Sequence, residues 1–153
     1  MSKIQEFLKN QEKSVMSIVE GKTIIDYLNN NAEEAPDYPA LNTPINNEYT
    51  GWDSTSWSEY QETVHNLASG LIDIGIQAED NAFIVANNVK EHFISDLGIM
   101  HAGAVPSTIY KQLKSGQIEY ISNLLEAKVA FVGDAELFTE VNKAKDNYTN
   151  TYA

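Results

Sequence analysis

Short apolar segments alternate with longer segments of helical period from Ser58 onward, and this alternation restricts the fold most strongly. Ala82–Ala86 is continuously apolar, which is typical of a strand covered on both faces of a sheet. Ala104–Tyr110 and Lys128–Val132 are predicted as further strands, and helix-like segments separate the three. Strands separated by helices of about ten to fifteen residues predict parallel βαβ units with right-handed crossovers. The predicted fold class is therefore α/β.

Residues that favour helix ends stand between these segments. Predicted helix starts are Thr23 with Asp26, Ser58 with Gln61, Asn88 with Glu91, and Asp134. The first two pairs fit a capping box, in which two side chains form reciprocal hydrogen bonds with backbone N–H groups. Gly75 and Gly103 are predicted to end helices, since glycine adopts the left-handed conformation at little cost.

The chain ahead of Ser58 predicts a different arrangement. Short β segments at Ala40–Leu41 and Thr55–Trp57 are expected to pair as a hairpin across a long polar loop. Residues 1–20 place apolar side chains at near-helical spacing, which predicts an amphipathic helix. The expected divisions are an N-terminal helix over residues 1–22, an α/β domain over 23–144 and a polar tail over 145–153.

Several large side chains are predicted to lie in the core. The helix after Asn88 is expected to bury four of them, which are Phe93, Ile94, Leu97 and Met100. Trp57, at the entry to a helix, is predicted to be a core anchor, because a large aromatic ring gains most from burial.

The composition excludes several classes of protein. The 153 residues include no cysteine, so disulfides, thiolate metal sites and a cysteine nucleophile are ruled out. The formal charge is −12 and arginine is absent, which disfavours nucleic acid and anionic membrane surfaces as partners. No apolar run approaches the roughly 20 residues that cross a bilayer, so no stable membrane insertion is expected. A cytoplasmic location is the expectation.

Titratable residues do not form an evident catalytic set. His65, His92 and His101 lack the i, i+4 spacing of a zinc-binding helix, so we expect surface or partly packed histidines and no metal site. Asp73 and Asp80 flank a predicted helix end and are expected to be solvated or to cap the backbone rather than to take part in catalysis.

Four phrases together resemble a known family. They are Trp57–Tyr60 (Trp-Ser-Glu-Tyr), Leu67–Leu71 (Leu-Ala-Ser-Gly-Leu), Ala102–Pro106 (Ala-Gly-Ala-Val-Pro) and Gln117–Ile121 (Gln-Ile-Glu-Tyr-Ile). Their order and spacing resemble the amino-terminal part of the adenylate-forming acyl-CoA synthetases, most closely the long-chain fatty acid type. The resemblance spans roughly residues 23–141. It implies a partial N-terminal domain of the acyl-CoA synthetase-like fold, with a helical and hairpin segment ahead of the parallel βαβ units.

The resemblance implies an ATP-dependent reaction in which a fatty acid, ATP and CoA give acyl-CoA, AMP and pyrophosphate, with Mg²⁺ bound to the phosphates. That chemistry needs a Ser/Thr/Gly-rich loop and a lysine at the phosphates, and neither motif occurs in these 153 residues. We therefore expect a scaffold segment that is inactive alone and holds no cofactor itself. A stand-alone, non-catalytic interaction module and a truncated remnant remain the alternatives, so the chain's status as an enzyme stays open.

One turn is the candidate binding site that the resemblance implies. In related enzymes the turn after the strand Ala104–Tyr110 lies near the tunnel for the pantetheine arm of CoA. This nominates Tyr110, Lys111 and Gln112, although the family usually has a turn rich in Pro, Thr and Ser here. Relatives often form homodimers through their amino-terminal parts, which makes a homodimer the expected assembly.

Overall fold

The computed structural model describes residues 4–5, 19–45, 50–143 and 147. In chain order the elements are α1 (Ile24–Glu34), β1 (Pro39–Pro44), β2 (Trp52–Ser56), α2 (Trp57–Asp73), β3 (Asn81–Val85), α3 (Lys90–His101), β4 (Val105–Thr108), α4 (Ser115–Leu125), β5 (Val129–Val132) and α5 (Ala135–Asn142). The predicted N-terminal helix and the polar tail fall mostly outside the described residues.

Three strands form a parallel sheet in the order β4-β3-β5. Strand β3 is central: Asn81 is in register with Val105 of β4, and Ala82 is in register with Val129 of β5. Each strand is joined to the next by a helix, so the predicted α/β class and the βαβ units are confirmed. Strand β4 is shorter than the predicted Ala104–Tyr110.

The central strand contributes to a hydrophobic cluster on each face of the sheet. Phe83 and Val85 pack with residues of α4 and α5, which lie on one face. Ala82 and Ile84 pack on the opposite face with residues of α2 and α3. Such alternation follows from the two-residue period of a strand, and burial on both faces explains why this strand is apolar throughout.

The predicted hairpin is confirmed ahead of the sheet. Strands β1 and β2 are antiparallel, from the pair Pro39 and Ser56 to the pair Pro44 and Trp52, with an irregularity after Pro39. A third cluster links α1 to α2 through Leu28. Trp57 is half-buried against this cluster, which agrees with its predicted role as a core anchor.

The helix caps agree with the sequence in part. Thr23 and Asp26 form the predicted capping box of α1. The box of α2 is formed by Ser56 and Glu59, so the prediction of Ser58 with Gln61 was wrong. Strand β2 leads directly into α2 without a loop, which places the cap two residues earlier.

The predicted start of α3 was also wrong. Asn88 does not cap this helix: the N-cap position belongs to Val89, which makes no side-chain cap hydrogen bond, and the helix begins at Lys90. Asn88 therefore lies outside the helix. At the other end Gly103 has the predicted left-handed conformation, with a φ of 82°.

The buried face of α3 differs from the prediction. The predicted Ile94 and Leu97 are partly buried against the third cluster, whereas Phe93 and Met100 are exposed. The fully buried residues of α3 are Ser95, Gly98 and Ile99. The cause is the close approach of α2: a Cβ atom on Gly98 would lie 2.5 Å from Cδ2 of Leu67. Because α3 packs through Gly98 and Ile99, Phe93 and Met100 are left at the surface.

Candidate functional site

The carboxyl ends of the parallel strands meet at one edge of the sheet, here called the carboxyl edge. Asn87 follows β3, Lys111 follows β4 and Asp134 follows β5. The connection after β3 leads to α3 on one face of the sheet, and the connection after β5 leads to α5 on the other. In open α/β sheets, ligands bind where neighbouring connections diverge in this way. The carboxyl edge is therefore the first place to look for a site.

A chain of hydrogen bonds joins the three strand ends. The Lys111 ammonium donates to Oδ1 of Asn87 at 2.5 Å. The amide of Asn87 donates to Oδ2 of Asp134 at 3.1 Å. The other oxygen of Asp134 accepts from the backbone N–H of Leu137 at 2.8 Å, which caps α5 as predicted. One amide side chain thus connects a lysine to a helix-capping carboxylate.

These residues line a hollow of about 270 Å³, together with Gln112 and Glu136. Two of the three predicted site residues, Lys111 and Gln112, are therefore brought to the carboxyl edge. Tyr110 is 79% exposed and does not line the hollow. With two carboxylates and one ammonium, the lining is formally negative, so the hollow by itself does not favour a phosphate group.

Gly133 holds the ends of β3 and β5 close together. A Cβ atom at this position would lie 2.8 Å from Cβ and 2.9 Å from Cα of Ala86. No larger residue fits without a backbone shift, so this glycine helps to define the carboxyl edge. Sequence reasoning missed this contact. A glycine directly after a predicted strand was the available signal, since glycine there often marks close backbone approach.

None of the three histidines lines the carboxyl-edge hollow. His65 of α2 stacks on His101 of α3, and Nε2 of His92 lies 3.1 Å from Oγ1 of Thr108. Burial lowers the pKa of His101, and the positive charge that His65 acquires on protonation lowers it further. No group of three or more metal-ligating side chains occurs within the described ranges. Sequence reasoning missed the His65–His101 pair, because its members lie on different helices.

The two aspartates that flank the end of α2, Asp73 and Asp80, were expected to be solvated or to cap the backbone. Asp80 accepts a hydrogen bond from the backbone N–H of Gln77 at 2.8 Å, which is the predicted capping role. Asp73 is exposed at the end of α2. In the part of the chain that the structure describes, no helix is both long and apolar enough to span a bilayer.

Comparisons with solved structures agree with this architecture. The chain is similar to the crystal structure of a long-chain-fatty-acid–CoA ligase from Archaeoglobus fulgidus, with a TM-score of 0.72 and 19% identity. The similarity covers 84% of this chain and 26% of that ligase. At this identity the likeness shows the fold: an N-terminal portion of the acyl-CoA ligase architecture.

Sequence comparisons identify relatives and a family. The long-chain-fatty-acid–CoA ligase heimdall of Drosophila melanogaster is 27% identical over 139 residues, which are 90% of this chain and 20% of the ligase. An uncharacterized protein of Mycobacterium tuberculosis is 30% identical over 94 residues, or 61% of this chain and 51% of that protein. This chain thus spans about a fifth of the ligase and half of the shorter relative. The family model described as AMP-binding enzyme matches residues 28–151. The chain therefore belongs to the AMP-binding enzyme family.

Proposed function

We propose that this chain is the N-terminal scaffold segment of an ATP-dependent long-chain fatty acid–CoA ligase. One observation carries the proposal: almost the whole chain aligns with only a fifth of a protein named as such a ligase. The reaction would convert a fatty acid, ATP and CoA into acyl-CoA, AMP and pyrophosphate.

The open side of the sheet supports a scaffold role. Within the described residues, β5 is paired on one side only, with β3. Beside it lies a hollow of about 340 Å³, lined by Phe131 and Gly133 on β5 and its end and by His92 and Ser95 on α3. A strand edge with an adjoining hollow is suited to receive further structure. We infer that the rest of the ligase domain packs there.

The carboxyl edge would form part of the CoA path. Under this proposal Tyr110, Lys111 and Gln112 contact the uncharged pantetheine arm rather than a phosphate. The reason is electrostatic, because Asp134 and Glu136 outnumber the single lysine in the hollow. ATP and Mg²⁺ would bind to other parts of a full-length ligase, since the phosphate-loop motif is absent from this sequence.

The proposal also covers location and assembly. A cytoplasmic, homodimeric ligase is consistent with the acidic, cysteine-free composition, because cytosolic proteins do not rely on disulfides. Fatty acid is the proposed substrate of the complete protein.

An ATP–pyrophosphate exchange assay tests the proposal directly. The purified chain is incubated with Mg²⁺-ATP, labelled pyrophosphate and palmitate, beside a full-length long-chain ligase as positive control. We expect label in ATP for the control and none above background for this chain. Exchange by the chain alone would show that it forms an acyl-adenylate and would overturn the scaffold assignment.

A second candidate is a stand-alone, non-catalytic interaction module. The short M. tuberculosis relative favours it, since about half of that protein matches this chain. An exposed strand edge at β5 would then recruit a partner or a second copy. Light scattering over a range of concentrations tests recruitment of a second copy, and a monomer at every concentration would argue against it.

A further inference from the structure

An apolar groove of about 330 Å³ lies between α1, α2 and α3 and shares no lining residue with the carboxyl-edge hollow. This volume is at the lower end of the range for small-molecule sites, which are mostly apolar with a few polar groups. Four aromatic side chains line the groove: Tyr27 of α1, Trp57 and Tyr60 of α2, and Phe93 of α3. Such a concentration of rings restricts what the groove can bind.

The rings offer aromatic surface more than hydrogen-bonding groups. Trp57 and Tyr60 have ring centroids 6.2 Å apart and planes inclined by 33°. The hydroxyl of Tyr60 is already engaged, since it donates to the carbonyl of Phe93 at 3.3 Å. Phe93 itself is 47% exposed and therefore accessible. The face of an aromatic ring carries negative charge density and attracts a cation that lies within about 6 Å of its centroid.

The charge of the groove also favours a cation. Within the described residues its lining includes one charged side chain, the carboxylate of Asp96. Burial, and then the charge of Asp96, raise the pKa of Tyr60 to about 12, so this phenol is neutral near pH 7. An anion such as a fatty-acid carboxylate would be repelled by Asp96. A cation gains from the carboxylate and from the rings together.

One ring of the groove already lies beside an ammonium group. Nζ of Lys22 lies 5.6 Å from the centroid of the Tyr27 ring, which is within the distance of a cation–π interaction. Lys22 is exposed and does not line the groove. The surroundings of Tyr27 thus accommodate a positive charge.

The apolar remainder of the lining selects the kind of cation. Ile24, Leu28, Leu97 and Met100 have side chains that offer no strong hydrogen-bond acceptor. A primary ammonium has three N–H donors, which would lose water here without replacement. A quaternary ammonium has no N–H group, and its methyl groups pack against apolar and aromatic surface. Aromatic rings are the usual recognition element for such cations.

We propose that this groove binds a small molecule that joins a quaternary ammonium to a short apolar chain. The ammonium lies against Trp57 and Phe93 with Asp96 as its counter-charge, and the apolar chain lies along Leu28 and Leu97. This inference does not depend on the ligase assignment, because it uses only the lining of the groove between α1, α2 and α3.

Isothermal titration calorimetry of the purified chain compares three probes that share a hexyl chain: hexyltrimethylammonium, hexylammonium and 1-hexanol. Nonspecific attraction to a chain of formal charge −12 acts on both cations, so a preference for the trimethylated head reports the rings. We expect saturable binding of hexyltrimethylammonium at one site, and weaker binding of hexylammonium and hexanol. Equal affinity for all three probes, or no saturation by hexyltrimethylammonium, would overturn the proposal.

Two substitutions test whether the binding occurs in this groove. Phe93→Leu keeps an apolar side chain but removes the ring, and it is expected to weaken the binding of hexyltrimethylammonium about 2- to 30-fold. Asp96→Asn keeps the shape but removes the charge, and it is expected to weaken the binding of both cations without affecting hexanol. Circular dichroism checks that each variant is folded.

Phe138→Leu is the matched control, because it replaces a 55% exposed phenylalanine on α5, outside the groove. We expect it to leave the affinity for hexyltrimethylammonium unchanged. An affinity that neither Phe93→Leu nor Asp96→Asn lowers would place the site elsewhere and contradict the proposal.

A phosphatidylcholine surface carries the same quaternary ammonium and is tested separately. The chain is centrifuged with phosphatidylcholine vesicles, and we expect it to stay in the supernatant. The reason is that each ammonium there is next to an anionic phosphate, which Asp96 disfavours. Sedimentation with the vesicles, without saturation by free hexyltrimethylammonium, would assign the groove to a membrane surface and refute the small-molecule proposal.

Discussion

His65 and His101 stack with their ring centroids 4.5 Å apart and their planes inclined by only 13°. The contact joins the middle of α2 to the last residue of α3. Nε2 of His65 is buried and has no hydrogen-bond partner. Two imidazoles in this arrangement tolerate each other when neutral and repel each other when both are protonated.

We expect the stability of the protein to fall as the pH drops below the ordinary histidine range. The pKa of His101 lies below its usual value of 6.5, first because of burial and then because of His65. The folded state therefore binds fewer protons than the unfolded state. The contribution of His101 to stability is complete above about pH 6.5 and is lost as the pH falls through the lowered pKa. Urea unfolding at about pH 7.5 and about pH 5.5 measures the change.

Replacing His101 measures how much of this pH dependence of stability comes from its imidazole. His101→Phe keeps a flat ring for the stack but removes the titrating group, so the loss of stability between the two pH values becomes smaller. His92→Phe is the matched control, because its imidazole contacts Thr108 and not a second histidine. If His101→Phe leaves the pH dependence unchanged, the stacked pair is not its source.

Gly98→Ala is expected to destabilise the protein although alanine is the better helix former. The new Cβ would lie 2.5 Å from Cδ2 and 2.8 Å from Cγ of Leu67. Overpacking of this kind costs about 1–3 kcal/mol, against a gain in helix propensity of at most about 1 kcal/mol. A Leu67→Ala background removes the contacts at 2.5 and 2.8 Å and leaves only Cβ of residue 67 at 3.1 Å, so Gly98→Ala is expected to cost less there. Urea unfolding of the four proteins gives the coupling energy, and additive effects would refute the contact.

Gly133→Ala is expected to destabilise the carboxyl edge by about 1–3 kcal/mol, because the added methyl group meets Cβ and Cα of Ala86. The backbone has little freedom to yield there. Gly116→Ala in α4 is the control, since no atom lies within 4 Å of the added Cβ. Thermal unfolding followed by circular dichroism compares the two. Equal effects would mean that the close approach at Gly133 does not constrain the strands.

Ser56→Ala is expected to cost about 1 kcal/mol, as is usual for the loss of an N-cap side chain. The hydroxyl oxygen accepts a hydrogen bond from the N–H of Glu59 at 3.2 Å. Ser58→Ala changes an exposed position inside the helix and is expected to be nearly neutral. A larger loss from Ser58→Ala than from Ser56→Ala in equilibrium unfolding would place the cap at the residue first predicted.

The sequence predicted what depends on local pattern. The apolar run of β3 and the left-handed Gly103 are set by residues close together in the chain, and both were found. The start of α2 was misplaced because Ser56 and Ser58 each satisfy the capping pattern, and only the end of β2 decides between them. The exposure of Phe93 and the stacking of His65 on His101 depend on how α2 crosses α3. No pattern within one helix contains that information.

At the carboxyl edge, too, the contacts join residues that are distant in the chain, and local pattern does not predict them. Lys111 and Gln112 were nominated through family resemblance. Asn87, which accepts a hydrogen bond from Lys111, and Asp134, which accepts one from Asn87, lie 24 and 23 residues from Lys111 in the chain. Only the parallel register of the strands brings them together. Asp134 was predicted as a helix start alone, and its bond to Asn87 follows from the sheet order β4-β3-β5.

Strand β3 has one further consequence for the molecule as a whole. Its side chains belong alternately to the helical layer on each face of the sheet. Neither helical layer can separate without exposing one side of this strand to water. Loss of one layer therefore destabilises the packing of the other layer as well. The two halves of the α/β unit are therefore expected to melt together, in a single cooperative transition, and not one after the other.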